Sequence, residues 1–227
     1  PDRIAGIHFF NPIAALKLVE VVRNNSQSDR TLATAVSVAQ SLRKTPVIVA
    51  DQAGFVVNRL LSTFLGESLR LVESGVPLVD ISTALEPLRL PMTPFALIDL
   101  IGRTVSLSML HSLYTSAPDR FFVGDAMRAV SISPSSESVG DDLTAVVSAS
   151  RTLGQNEIHD SVVDALVREV SVMIEAQVVR DIRDIDLCMI NGAGWPAAIG
   201  GLTPYLDDCG ASERVTGKLF HHASNAG

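Results

Sequence analysis

The chain has 227 residues, is 47% hydrophobic and 19% charged, and carries a formal net charge of −7. That length suits one large domain or two small ones, and the acidic balance argues against a nucleic-acid-binding surface. Two cysteines, Cys188 and Cys209, exclude a disulfide scaffold and point to a reducing compartment, taken here as the cytoplasm. No run reaches the ~18 apolar residues of a membrane span.

The chain opens at Pro1 directly into a strand-like run and reads as a cut through a larger protein. Arg3–Phe10 and Leu16–Val22 are short, apolar and partly β-branched, which predicts two buried strands joined by a turn at Asn11-Pro12. Ser28 is placed to cap a helix whose buried face would be Leu32, Ala35, Val36, Ala39 and Leu42. Pro46–Ala50 is a third strand, so the opening order resembles the closing part of a mixed α/β sheet.

From Gly54 onward the pattern turns helical. Phe55–Glu73 predicts a long apolar helix, Val79–Leu88 a shorter one, and Pro91 and Pro94 a break. Helical spacing resumes over Val105–Tyr114. The serine-rich run from 131 to 155 reads as a linker. Asp160–Arg180 is helical again, with Val163, Leu166, Val167, Val170 and Ile174 on one face. Glu67–Gly102 and Glu175–Gly210 look like a diverged internal repeat, pairing Asp80-Ile81 with Asp186-Leu187 and Asp99 with Asp207. The expected divisions are 1–52, 53–130, a linker at 131–155, and 156–227.

Three polar groups sit in apolar surroundings, where each needs a partner. A lone His8 is most often a core histidine satisfied by a carbonyl. Glu20 changes that balance, because it shares a strand face with Leu16, Leu18 and Val22 while Val19 and Val21 take the other. A turn that brought the two strands together would set a carboxylate on one imidazole nitrogen and make the other a better base. Asn58, early in the apolar helix, would alone be an amide bonding nearby backbone. Beside His8 and Glu20 it becomes a candidate substrate-orienting donor.

Other signals carry little. Gly192-Ala193-Gly194-Trp195-Pro196-Ala197 matches a dinucleotide fingerprint, but such a loop should leave a strand and open a helix. His111 and His159 lack partners in sequence. His221 and His222 are adjacent and project differently. Cys188 and Cys209 read as buried thiols rather than metal ligands.

His8-Phe9-Phe10-Asn11-Pro12, Leu18-Val19-Glu20-Val21 and Gly54-Phe55-Val56-Val57-Asn58-Arg59-Leu60, in this order and spacing, closely resemble the L-3-hydroxyacyl-CoA dehydrogenase family. The resemblance continues through Leu90–Phe95 with Asp99 and Gly102, and returns at Asp184–Leu187 and Gly192–Gly201. It implies a mainly α chain: the α/β end of a Rossmann-type domain followed by two helical repeats like the C-terminal domain of 6-phosphogluconate dehydrogenase. It also implies NAD-dependent oxidation of L-3-hydroxyacyl-CoA to 3-ketoacyl-CoA in fatty-acid β-oxidation. His8 would be the general base, Glu20 its orienting partner, Asn58 a holder of substrate and histidine, and Asn11 a neighbour of the nicotinamide. Tandem repeats resemble the long members, whose partners are an upstream enoyl-CoA hydratase domain and a thiolase chain. The substrate would be an acyl-CoA, and no metal or nucleic acid is implied.

The sequence departs from the family at Thr93 in Pro91-Met92-Thr93-Pro94, at Gly102-Arg103-Thr104 and at Trp195-Pro196-Ala197-Ala198. The family's glycine-rich NAD loop precedes the region present, so these residues by themselves are expected to be inactive. The competing reading is a non-catalytic helical packing module of a larger multienzyme. Related dehydrogenases that rely on a helical-domain lysine fit poorly, since none occurs between Lys44 and Lys218.

Overall fold

The chain runs β1 (Gly6–Phe9), β2 (Leu18–Arg23), α1 (Asp29–Ser41), β3 (Thr45–Ala50), α2 (Val57–Glu73), α3 (Leu78–Ala84), α4 (Pro94–Ile101), α5 (Arg103–Ser116), α6 (Asp125–Ile132), α7 (Val139–Val146), α8 (Gln155–Glu175), α9 (Ile182–Ala193), α10 (Leu202–Asp208) and α11 (Ala211–Thr216). Short 3₁₀ turns stand at Glu86–Leu88 and Ala197–Ile199. This is a computed structural model, and it describes residues 2–132 and 134–221. By its internal contacts the chain divides into two compact units, Pro1–Val57 with Val170–Gly227, and Asn58–Glu169.

The first unit is built on β2. β1 pairs antiparallel on one side of it and β3 parallel on the other. Both early strands are shorter than their apolar runs. Ala15 and Leu16 donate their amides to the Pro12 carbonyl, and the Lys44 ammonium takes the carbonyls of Ile13 and Leu16. Those groups are therefore lost to a ladder.

The parallel pairing of β2 and β3 requires a crossover, and α1 supplies it. Ser28 Oγ accepts from the Thr31 amide at 3.2 Å, so the predicted cap is present. Leu32, Ala35 and Ala39 pack with Val36 against Val19 and Val21. Leu42 does not join this face. It follows the last turn, next to a left-handed Arg43, and is 53% exposed.

The other face of β2 meets α9. A Cβ on Gly192 would lie 2.5 Å from Leu18 Cδ2 and 3.1 Å from Val57 Cγ2, so a side chain there would force Leu18 or Val57 to shift. The Ala50 amide donates to the Val178 carbonyl at 2.8 Å, tying the later chain to the end of β3.

The second unit is helical. α3 is shorter than the predicted Val79–Leu88, which ends instead in the 3₁₀ turn at Glu86–Leu88 and a left-handed Arg89. Pro94 opens α4 rather than only breaking the chain, with Thr93 Oγ1 accepting from the Ala96 amide. The segment expected as a linker at 131–155 contains α7. Ser138 caps it and Val139 and Leu143 are fully buried, a pair of apolar residues that the serine-rich composition hides.

Asp142 on α7 accepts from Arg103, from the Ser135 hydroxyl and from the Ser135 amide. These bonds hold its carboxyl well below the usual carboxylate range, the serine hydroxyl contributing most and Arg103 next. A second buried carboxylate, Glu169, receives Arg59 and a two-pronged contact from Arg120 at 2.9 and 3.1 Å.

α8 starts and stops earlier than the predicted Asp160–Arg180. The Glu157 carboxylate bonds back to the Gly154 amide at 2.7 Å, and a left-handed Gln177 follows its end. Val163, Leu166, Val167 and Val170 are buried as expected, whereas Ile174 in the last turn is exposed. No helix among the described residues is long and apolar enough to cross a membrane.

Candidate active site

The β1–β2 register sets His8 directly opposite Glu20. Their side chains meet, His8 Nδ1 to Glu20 Oε2 at 2.8 Å. A carboxylate only accepts, so Nδ1 carries the hydrogen. Glu20 is fully buried, while the His8 side chain is 30% exposed. Nε2 has no hydrogen-bond partner among the described residues, and it is the nitrogen left for chemistry.

The second oxygen of Glu20 is also used. Oε1 accepts from the amides of Val56 at 3.0 Å and Val57 at 3.1 Å. Two successive left-handed residues, Gly54 at φ 74° and Phe55 at φ 47°, bring those amides round. The turn also explains why α2 begins at Val57 and not at Phe55. A bulky residue in that region stores strain of order 1–3 kcal/mol. Here the strained residue sets its ring 5.5 Å from the imidazole, while Phe10 makes an edge contact at 4.5 Å on the same imidazole. One imidazole is thus held by a carboxylate and two aromatic rings.

Cys188 on α9 is close enough to Glu20 to feel its charge. Burial pushes its thiol well up, and the Glu20 charge adds to the effect. It stays a neutral buried thiol, as its sequence context suggests; Cys209 is half-buried.

Asn58 follows Val57 directly on α2 and is half-buried. Its side chain has no hydrogen bond among the described residues. Asn11 is exposed, two residues past the end of β1. The structure therefore joins His8 to Glu20, and leaves the amides of Asn11 and Asn58 uncommitted. Sequence reasoning missed Phe10, Phe55 and the paired amides. The only available signal was Gly54-Phe55, a glycine before an aromatic at a helix start.

The fingerprint-like run is accounted for differently. Gly192 lies inside α9 and Gly194, at φ 70°, ends that helix, so the run closes a helix instead of opening one. His221 Nε2 meets Thr203 Oγ1 at 2.7 Å, and that hydroxyl donates to Asp186 at 2.6 Å. Since the hydroxyl hydrogen goes to the carboxylate, Nε2 of His221 carries the other. Burial raises the Asp186 carboxyl, against the lowering effect of Thr203. His222 lies outside the described residues.

A small mixed sheet that runs into helices, with an imidazole–carboxylate pair on neighbouring strands, is the plan of a dehydrogenase that pairs a nucleotide-binding domain with a helical one. Residues 1–52 match the NAD binding domain of 3-hydroxyacyl-CoA dehydrogenase, and residues 54–131 match its C-terminal domain. The chain belongs to the 3-hydroxyacyl-CoA dehydrogenase family, whose cofactor is NAD.

Individual relatives agree. The chain is 29% identical to a fatty acid oxidation complex subunit alpha from Idiomarina loihiensis, over 100% of this chain and 35% of that protein. It thus spans about a third of the length of that relative. The crystal structure of 3-hydroxybutyryl-CoA dehydrogenase from Escherichia coli superposes with a TM-score of 0.65 at 18% identity, over 99% of this chain and 69% of that one, which shows the shared fold. M. tuberculosis FadB2 is 31% identical with a TM-score of 0.54, over 57% of this chain and 47% of that one.

Proposed function

We propose that these residues carry the proton-handling part of an enzyme that oxidises L-3-hydroxyacyl-CoA to 3-ketoacyl-CoA with NAD in fatty-acid β-oxidation. The observation that carries this reading is the His8–Glu20 pair, a partly exposed imidazole fixed by a fully buried carboxylate.

His8 Nε2 takes the proton from the C3 hydroxyl as the carbon gives up its hydride and becomes a carbonyl. Glu20 keeps the hydrogen on Nδ1 and balances the charge of the imidazolium that forms. NAD, when bound, supplies the acceptor for the hydride. The residues present fit its nicotinamide end: Asn11 offers an exposed amide three residues after His8. Asn58 supplies a second amide that orients the substrate.

We place the end of the NAD-binding domain at 1–52, the first helical domain at 53–130 and a second helical repeat at 156–227, with 131–155 connecting them. Asp80 and Asp184 each stand in the first turn of a helix and are followed by a buried isoleucine, Ile81 and Ile185. That favours pairing Asp80 with Asp184 over Asp186, since Leu187 is exposed. Asp99 and Asp207 each accept backbone amides from a later segment: Val139, and Phe220 with His221. The Idiomarina relative is a subunit of a fatty acid oxidation complex, which supports a multienzyme setting. Within it we propose a hydratase domain, a thiolase chain and a cytoplasmic location.

The test is His8→Gln in the full-length protein that carries this chain. Oxidation of an L-3-hydroxyacyl-CoA should nearly disappear while NAD affinity is kept. Turnover at the wild-type rate would overturn the reading.

A further inference from the structure

The family match ends at residue 131, yet residues from 170 onward share a compact unit with the strands that hold His8 and Glu20. Two hydrogen bonds make the join: the Ala50 amide donates to the Val178 carbonyl at 2.8 Å, and the Gln52 side-chain Nε2 donates to the Ala176 carbonyl at 3.2 Å.

α9 then covers the face of β2 on which Leu18, Glu20 and Val22 alternate. Gly192 meets both structures that Glu20 organises. The Cβ it lacks would fall 2.5 Å from Leu18 Cδ2, on the strand of Glu20, and 3.1 Å from Val57 Cγ2, on a residue whose amide Glu20 accepts. One helical turn earlier on the same face is Cys188, fully buried and close enough to feel the Glu20 charge. Ile185 and Met189 complete a wholly buried surface.

We infer that α9 is the wall that keeps the Glu20 carboxylate dry, and that Gly192 is a positioning residue for the His8–Glu20 pair. The inference rests on the reading of that pair given above. A dry wall strengthens the bond between the carboxylate and Nδ1–H. The missing side chain at Gly192 sets how closely the wall can sit. A methyl group there must shift Leu18, Val57 or α9, and with them the two ends of the Glu20 hydrogen-bond set. Small misplacements of this kind reach the chemistry even when no substrate contact is lost.

The experiment uses the full-length protein. Gly192→Ala is expected to lower kcat about 10- to 100-fold, with KM for the acyl-CoA within about twofold of wild type. Leu187→Ala, on the exposed side of α9, leaves turnover unchanged. Leu18→Val removes the Cδ atoms that the new methyl meets, and in the Gly192→Ala background it restores part of kcat.

The decisive reading is a cycle with Glu20→Gln: if Gly192 acts through Glu20, adding Gly192→Ala to Glu20→Gln brings little further loss. Full additivity, or wild-type turnover by folded Gly192→Ala, overturns the inference. Should Gly192→Ala not fold, Cys188→Ala on the same face enters the same cycle with the same two outcomes. His8→Gln separates the two levels. If it abolishes oxidation and the cycle is additive, only the role of α9 falls; if it turns over normally, the reading of the pair falls first.

Discussion

Glu20 divides its carboxylate between His8 on the neighbouring strand and the backbone that starts α2. One oxygen takes the imidazole Nδ1 at 2.8 Å and the other takes the Val56 and Val57 amides. The two jobs separate by substitution. Glu20→Gln keeps an oxygen for the amides but presents an NH₂ group to Nδ1 and forces the wrong tautomer, so kcat should fall by about 100-fold or more. Glu20→Ala should cost a further loss in stability of about 1–3 kcal/mol, because buried amides lose their acceptor. Steady-state kinetics and urea unfolding of both variants check this. Equal stability of the two would remove the second job from Glu20.

Phe55 combines a strained backbone with an aromatic contact to His8. Phe55→Gly should leave stability within about 1 kcal/mol of wild type, since glycine accepts the left-handed conformation and offsets the lost ring. Its kcat should nevertheless fall, because the imidazole is less confined. Phe55→Val should destabilise, as a β-branched residue suits positive φ poorly. A Phe55→Gly variant with unchanged kcat would show that the ring only fills space.

Glu169 lies between Arg59 and Arg120, and Arg59 is almost fully buried. Removing the carboxylate breaks a buried ion pair with Arg59 and takes from Arg120 its two-pronged acceptor. Glu169→Ala should therefore lose about 3–5 kcal/mol in chemical unfolding. A loss below about 1 kcal/mol, the usual value for an exposed pair, would mean that water reaches the site.

Asp142 gives a pH dependence with a definite sign. Ser135 and Arg103 hold its carboxyl below the ordinary value, which is about 3.9 in unfolded chains. Its contribution is therefore present above that ordinary range and lost only as pH falls through the lower folded value. The amide resonance of Ser135, which donates to both Asp142 oxygens, should hold its position through pH ~4 and move only in stronger acid. Asp142→Asn should show no such step. Movement centred at the ordinary carboxylate range would refute the tether.

Much of this was written locally in the chain. Alternation along Leu18–Arg23 fixes which side chains share a face, and a carboxylate among them advertises a partner. Ser28 and the spacing from Leu32 to Ala39 specify α1 without help from the rest of the molecule.

What stayed hidden depends on ends or on distance. Leu42 and Ile174 fit a helical period but stand where the helix stops, so period alone assigns them wrongly. α7 rests on two buried apolar residues within a serine-rich run, too few to register against the composition. Gly192 resembled part of a phosphate loop because close approach of helix to sheet and close approach of backbone to phosphate both select glycine. Only the packing against Leu18 distinguishes them.

The strands and α9 belong to one unit although the Asn58–Glu169 segment separates them in sequence, and this orders events during synthesis. A ribosome releases His8 and Glu20 before α9. Asn58–Glu169 can fold in the interval through its own contacts, while Leu18 and Val22 wait beside Glu20 for their cover. Closing so long an intervening stretch carries an entropy cost that grows slowly with its length, and it shrinks once that stretch has compacted. The residues with the chemistry are made before the helix that shields them, so a pause in translation ahead of α9 leaves an open apolar strand face for chaperones to meet.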